Sequence, residues 1–271
     1  MNYDPNLLYA FIDESLSRQT LDITLVDRDK EILVQFWEGF FTTSAVVVDG
    51  ADAAAFDSSV LDWKRGHNVE HVPLHGHEIA SRTGNFEFLN DLTSEDRNEW
   101  YASLARLLEG LPYHLICGVI CDIPMQGINF DKRECEWAVE FLIERLRHIG
   151  WTSKKKVHLI VEDGHHETFL ALLRRIMASG TSQMEPSLLH PHFTGKAQFV
   201  PKASALAGLE IADLSAYPAG ATANTPDSPH RSFAAIQDHL YTGGWGKPSS
   251  YGLKAWPPRD RAEKLKSLLG E

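Results

Sequence analysis

Three groups of acidic residues stand where burial is expensive. Asp13 and Glu14 follow the apolar run Leu7-Leu8-Tyr9-Ala10-Phe11-Ile12. Glu162 and Asp163 follow Val157-His158-Leu159-Ile160-Val161. Asp213 lies in Leu206-Ala207-Gly208-Leu209-Glu210-Ile211-Ala212-Asp213-Leu214-Ser215-Ala216, a stretch apolar nearly all round. Short continuous apolar runs read as buried strands, and the third segment reads as a helix. On that helix Glu210 and Asp213, three apart, project from the same side. A lone carboxylate taken out of water costs several kcal/mol unless it is paired, hydrogen-bonded or bound to a metal. In open α/β sheets, ligands bind in the crevice at the carboxyl ends of the strands. Acids converging there suit Mg²⁺ or Mn²⁺, hard cations that take oxygen ligands. Each acid also has an ordinary reading: a strand-end Asp commonly caps a turn or helix, and Asp213 could simply pair with Lys202. The coincidence of all three in uncharged surroundings points to a site.

The elements that must position these acids follow from periodicity. The strand at Leu7–Ile12 is expected to end at Asp13-Glu14-Ser15, and a second runs from Phe40 to Val48, stopping at the turn dipeptide Asp49-Gly50. Between them Asp27-Arg28-Asp29-Lys30 reads as a charged loop or hairpin tip. A helical pattern covers Ala51–Trp63, followed by an irregular, histidine-rich stretch, Lys64–Gly84. Thr93 and Asp96 fit a capping box that opens a helix with Trp100, Leu104 and Leu107 on one face. His114–Cys121 reads as a strand. Ala138, Phe141, Leu142, Leu146 and Ile149 recur at helical spacing, with Gly150 as the expected stop. Phe169, Leu170, Leu173 and Ile176 mark a helix closed by Gly180, a weaker strand lies near Ala197–Val200, and Ala205–Tyr217 reads as a helix. The C-terminal stretch, rich in Gly, Pro and Ser around one short helix at Phe233–Leu240, is expected to wrap over the body. Strands alternating with helices predict a single α/β domain over residues 1–271, with a helical insertion at about 51–110 and a C-terminal extension at about 219–271.

Composition narrows the function. Among 271 residues, 26 are Lys or Arg and 37 are Asp or Glu, a formal net charge of −11. That balance argues against constitutive coating of nucleic acid or of an anionic membrane, but not against an enzyme that meets a phosphodiester through a metal. The three cysteines lie between Cys117 and Cys135 and suggest no disulfide framework. Cys117 and Cys121 share one side of a strand and read as packing. The first residues lack the basic region and apolar core of a signal peptide, and no apolar run approaches the length of a membrane span, so a cytoplasmic protein is expected. The pairs His75-x-His77, His165-His166 and His190-x-His192 match no zinc framework such as H-E-x-x-H. His75, near the acids, is a candidate proton shuttle. The Lys154–Lys156 run reads as a solvated turn, and Trp245 and Trp256 as lid, dimer contact or core.

The order of the acids resembles the ribonuclease-H-like superfamily: a first-strand Asp, a central-strand acid, and a late-helix Asp preceded by Ala. The chain is more closely similar to the bacterial family known as domain of unknown function 3800, whose members carry phrases like FIDESG and PKxSxGLQxADLxAY. Here they read Phe11-Ile12-Asp13-Glu14-Ser15 and Pro201-Lys202-Ala203-Ser204, running on to Gly208-Leu209-Glu210-Ile211-Ala212-Asp213-Leu214-Ser215-Ala216-Tyr217. Leu74-His75-Gly76-His77-Glu78-Ile79 looks like that family's His-containing element, and the resemblance spans about residues 8 to 256, ending in Tyr251-Gly252-Leu253-Lys254-Ala255-Trp256-Pro257. Two departures are Leu16, where the family has Gly, and Glu210, where it has Gln. The resemblance implies a ribonuclease-H-like fold, a central mixed sheet flanked by helices. It also implies phosphodiester hydrolysis in RNA or DNA by two Mg²⁺ or Mn²⁺ ions held by Asp13, Glu162 and Asp213. Glu14 or Glu78 would complete the coordination, Glu210 would add a charge to it, and Lys202 would hold a non-bridging phosphate oxygen. Asp163 competes with Glu162 for the central position. The implied setting is defence against mobile elements or their maintenance. The rival expectation is a non-catalytic interaction or regulatory subunit, with a protein partner supplying a basic surface.

Overall fold

A computed structural model describes residues 1–27, 30–121, 132–163, 166–256 and 261–271, with side chains for residues 1–15, 39–121, 136–163, 170–256 and 262–271. In chain order the elements are β1 (Leu7–Asp27), β2 (Lys30–Asp49), α1 (Ala53–Gly66), α2 (Gly76–Ser81), α3 (Ser94–Gly110), β3 (His114–Cys121), α4 (Lys132–Ser153) and β4 (Lys156–Glu162). They continue with α5 (His166–Ser179), α6 (Pro186–Leu189), β5 (Phe193–Val200), α7 (Ala207–Asn224), α8 (Ala234–Gln237), α9 (Pro248–Tyr251), β6 (Leu253–Trp256) and α10 (Arg261–Leu268). The strands form one mixed sheet in the order β5-β4-β1-β2-β3-β6. β1, β2 and β3 are antiparallel neighbours, whereas β4 is parallel to β1 and to β5, and β6 is parallel to β3.

Alternation along each strand divides the core into two layers. Tyr9 and Phe11 of β1, Val46 and Val48 of β2 and Ile160 of β4 pack under α7, α1 and α3. Leu8, Ala10 and Ile12 of β1, with Leu159 and Val161 of β4, pack on the opposite face against α4 and α5. Helices α1, α2 and α3 lie between β2 and β3. The Thr93 hydroxyl accepts the Asp96 amide at 3.1 Å and donates to the Asp96 carboxylate at 2.7 Å, so Thr93 caps α3 as expected, with Asp96 answering the hydroxyl instead of the Thr93 amide. Among the described residues, no helix is long and apolar enough to cross a membrane.

Four local expectations are corrected. β1 does not end at Asp13 but pairs with β2 out to Asp27↔Lys30. The polar residues Ser44, Thr43 and Thr42 lie opposite Asp13, Glu14 and Ser15, so the acidic phrase continues the ladder instead of breaking it. The supposed tip therefore closes a long hairpin, with residues 28–29 outside the described set. Gly150 does not stop α4, which runs on to Ser153. Instead, a Cβ at Gly150 would come within 3.1 Å of the Lys155 carbonyl and 3.2 Å of Val157, so glycine allows α4 to approach the chain entering β4. The helix read as ending at Tyr217 continues through Pro218 to Asn224. Finally, the C-terminal extension does more than wrap: it contributes β6, paired with β3 through Cys117↔Leu253. Trp245 is exposed, and Trp256 stands edge-on to Trp137 with ring centroids 6.5 Å apart.

The end of α4 carries a pH-sensitive contact. The His148 imidazole is hydrogen-bonded to the Tyr241 hydroxyl at 2.9 Å and lies against Tyr251 and Trp151. Partial burial, then the positive Arg147 and Arg145, hold its pKa below the ordinary histidine value. The unfolded chain therefore binds a proton here more readily than the folded one, and stability falls as pH drops through about 6.5. Melting temperatures measured between pH 8 and 5.5 are expected to fall less steeply for His148→Asn than for wild type. Parallel curves would refute the assignment.

Candidate active site

Alternation decides where the acids point. Ile12 of β1 pairs with Val161 of β4, so Asp13 and Glu162 are the next residues on two adjacent parallel strands. Asp13 is in phase with Phe11, and Glu162 with Ile160, so both face α7. Helix α7 crosses that face with Asp213 toward Asp13 and the end of β4. The result is a cavity of about 190 Å³ lined by Asp13, Glu14, His75, Glu162, Lys202 and Asp213 over Ile12 and Val161. It sits at the carboxyl end of β4, where the β1–β4 ladder ends at Ile12↔Val161 while β1 runs on beside β2, and the end of a parallel strand is where a ligand crevice in an α/β sheet is expected.

The carboxylates of Asp13, Glu162 and Asp213 share this space with one lysine, Lys202. One Asp13 oxygen accepts the Glu14 amide at 2.8 Å; the other is buried with no hydrogen-bond partner among the described residues. Burial, then the negative Asp213 and Glu162, push the Asp13 pKa well above the ordinary carboxylate value, and the Glu14 amide and Lys202 only partly offset this. The Lys202 ammonium lies 3.4 Å from Glu162 and 3.8 Å from Asp213. Burial works against its charge, but Asp213, Asp13 and Glu162 together hold its pKa above the usual lysine value. The pairing of Asp213 with Lys202 is thus present, but at long range and inside the cavity, not in the core. The same Asp213 oxygen accepts the Gly76 amide at 2.9 Å and lies 3.9 Å from His75 Nε2.

The other candidates are placed as follows. Glu162 lines the cavity, whereas Asp163 is exposed and its amide donates to the Val200 carbonyl. Glu78 stands behind His75, 3.4 Å from Nδ1, and also accepts the Asn85 amide at 3.3 Å. Glu210 is not brought to the cavity. It is buried, and one oxygen takes the Lys64 ammonium at 2.7 Å and the Leu74 amide at 3.0 Å. His77 stands near His75, ring centroids 6.3 Å apart, and His190 bonds the Met177 carbonyl; His165 lies outside the described residues. Cys117 and Cys121 are buried, as packing residues would be. Sequence reasoning missed the Gly76 amide and Lys64: a backbone donor leaves no side-chain signal, and one lysine at a helix end resembles any other.

Hard oxygen donors, an unpaired buried oxygen and crowded negative charge fit a divalent cation. Even so, among the described residues no group of three or more His, Cys, Asp or Glu stands ready to hold a metal ion. The Lys202 ammonium is the cation these carboxylates face.

Fold and cavity together define an α/β protein whose mixed sheet carries a carboxylate cavity between β1, the end of β4 and α7. Compared with protein-family models, curated proteins and solved structures, the chain matches none of them.

Proposed function

We propose that the cavity is the catalytic centre of a divalent-metal-dependent nuclease with a ribonuclease-H-like fold, related to the domain of unknown function 3800 family. The observation that carries this reading is the meeting of Asp13, Glu162 and Asp213, from three separate elements, with one buried Asp13 oxygen that has no partner among the described residues. Asp13, Glu162 and Asp213 would hold Mg²⁺ or Mn²⁺, which when bound would activate water and stabilise the leaving oxygen of RNA or DNA. The chain's own groups do the rest. Lys202, at the cavity mouth, binds a non-bridging phosphate oxygen. His75, which lines the cavity with its Nε2 3.9 Å from Asp213, is suited to carry a proton to or from the reacting oxygen. The Gly76 amide keeps Asp213 turned into the cavity. A cytoplasmic role in defence against mobile elements, or in their maintenance, accompanies this reading.

A second reading has its own support. Lys202 already bridges Glu162 and Asp213, and the net charge of −11 gives no general attraction for a polyanion. Under it, the domain is a non-catalytic subunit whose partner supplies the basic surface. Labelled single- and double-stranded RNA and DNA, incubated with Mg²⁺ or Mn²⁺ and with EDTA as control, separate the two. Metal-dependent cutting is expected for at least one substrate. A wild-type protein that cuts none of them is not a self-sufficient nuclease.

A further inference from the structure

Glu210 and Lys64 form an ion pair in which each side chain is only 4% exposed, far from bulk water on the inner side of α7. Such a pair is a poor way to stabilise a fold, because apolar residues of similar volume usually do as well or better. This one leaves the second Glu210 oxygen buried without a partner among the described residues, which adds to its cost. The hydrogen bonds indicate what the pair accomplishes. Glu210 accepts the Leu74 amide, and Asp213, one turn further along α7, accepts the Gly76 amide. Alternate amides of an extended segment are thus tied to two carboxylates of one helix. His75, the residue between them, has φ −120° and ψ 112° and caps α2. The Leu74 side chain is fully buried and sets the depth of the segment. A single apolar anchor leaves rotation about the chain direction free, whereas two amide bonds on one side remove it.

We infer that Glu210, held by Lys64, is a positioning residue that fixes residues 74–76 on α7 so that His75 faces the carboxylate cavity. Only the kinetic consequence rests on the nuclease reading. The structural consequence does not. Neutral glutamine offers the same acceptor oxygen, so the acceptor, not the charge, does the positioning, and Lys64 compensates for the carboxylate.

The test compares wild type, Glu210→Leu and the double variant Lys64→Met/Glu210→Gln by amide hydrogen exchange, by the imidazole NMR signals of His75 and by cleavage kinetics. In Glu210→Leu, exchange is expected to quicken about tenfold or more at Leu74 and also at Gly76, whose acceptor is Asp213. The His75 signals shift, and kcat falls about 10- to 100-fold with KM little changed. The double variant restores protection at both amides and most of the lost kcat. Two results would overturn the inference: quickened exchange confined to Leu74 in Glu210→Leu, or loss of Gly76 protection in the double variant. Should Glu210→Leu not fold, the double variant alone decides. A wild type without cleavage defeats the nuclease reading, and the exchange data still judge the positioning role.

Discussion

Asp13→Asn is expected to abolish metal-dependent cleavage and, in the same protein, to raise the melting temperature. The two effects share a cause. Asp13 is buried, one of its oxygens has no partner among the described residues, and Asp213 and Glu162 crowd it with like charge. Asparagine keeps the oxygen that accepts the Glu14 amide and replaces the orphan oxygen with an NH₂ that can donate toward the neighbouring carboxylates. Removing the charge relieves a repulsion the fold otherwise tolerates. Such a gain is on the order of 1 kcal/mol, or roughly 2–4 °C in Tm for a chain of this size. It should be measured in EDTA at neutral pH. The loss of activity is expected to reach about 10²–10³-fold or more, the scale of removing one electrostatic stabiliser of a transition state. Asp213→Asn is expected to be equally inactive without the gain in stability, because Asp213 also receives the Gly76 amide and faces Lys202. Equal cutting by wild type and both variants would make the acids structural. A destabilised Asp13→Asn would mark Asp13 as a cap that needs its charge.

Gly208→Val is expected to cause the largest loss of stability. An ideal Cβ at Gly208 would fall 2.2 Å from the ring of Phe11, which is itself 1% exposed and has no room to withdraw. Overpacking at such a contact costs about 1–3 kcal/mol, and valine adds two methyl groups beyond the Cβ. The consequence reaches the site. Phe11 lies two residues before Asp13, and Gly208 lies five before Asp213, so this one contact sets how closely α7 lies on β1. Lifting the helix separates the two acids, and activity should fall about tenfold or more at temperatures where the variant is still folded. Gly66→Ala is the control: nothing lies within 4 Å of that Cβ position, and the change should be neutral or slightly stabilising. If Gly208→Val melts like Gly66→Ala, the close approach of α7 to β1 is not real.

Much of the site was legible because it depends on local pattern. An apolar run followed by an acid marks a strand that enters and leaves the core, and a period of two puts Asp13 on the side of Phe11 and Glu162 on the side of Ile160. The same periodicity was present and overlooked beyond Asp13. Thr20-Leu21-Asp22-Ile23-Thr24-Leu25 alternates polar and apolar residues, the signature of the long hairpin, but the acidic phrase before it resembles a strand end. The C-terminal strand β6 was missed for another reason. Leu253–Trp256 is four residues long, and its ladder to β3 gives it an extended conformation that so short a segment would not adopt alone.

What the sequence determined by itself was which segments are buried and which face each strand residue takes, since both follow from residue types at a fixed local repeat. Which buried charge meets which was decided only by the tertiary structure. Glu210 and Asp213 sit three apart on one helix and looked like a single acidic pair. The fold sends Glu210 to Lys64, 146 positions away, and Asp213 to a cavity shared with Asp13, Glu162 and Lys202. Ion pairing in a core depends on distance and on the exclusion of water. Both are set by how helices seat on the sheet, through contacts such as Gly208 on Phe11, and no repeat along the chain encodes them.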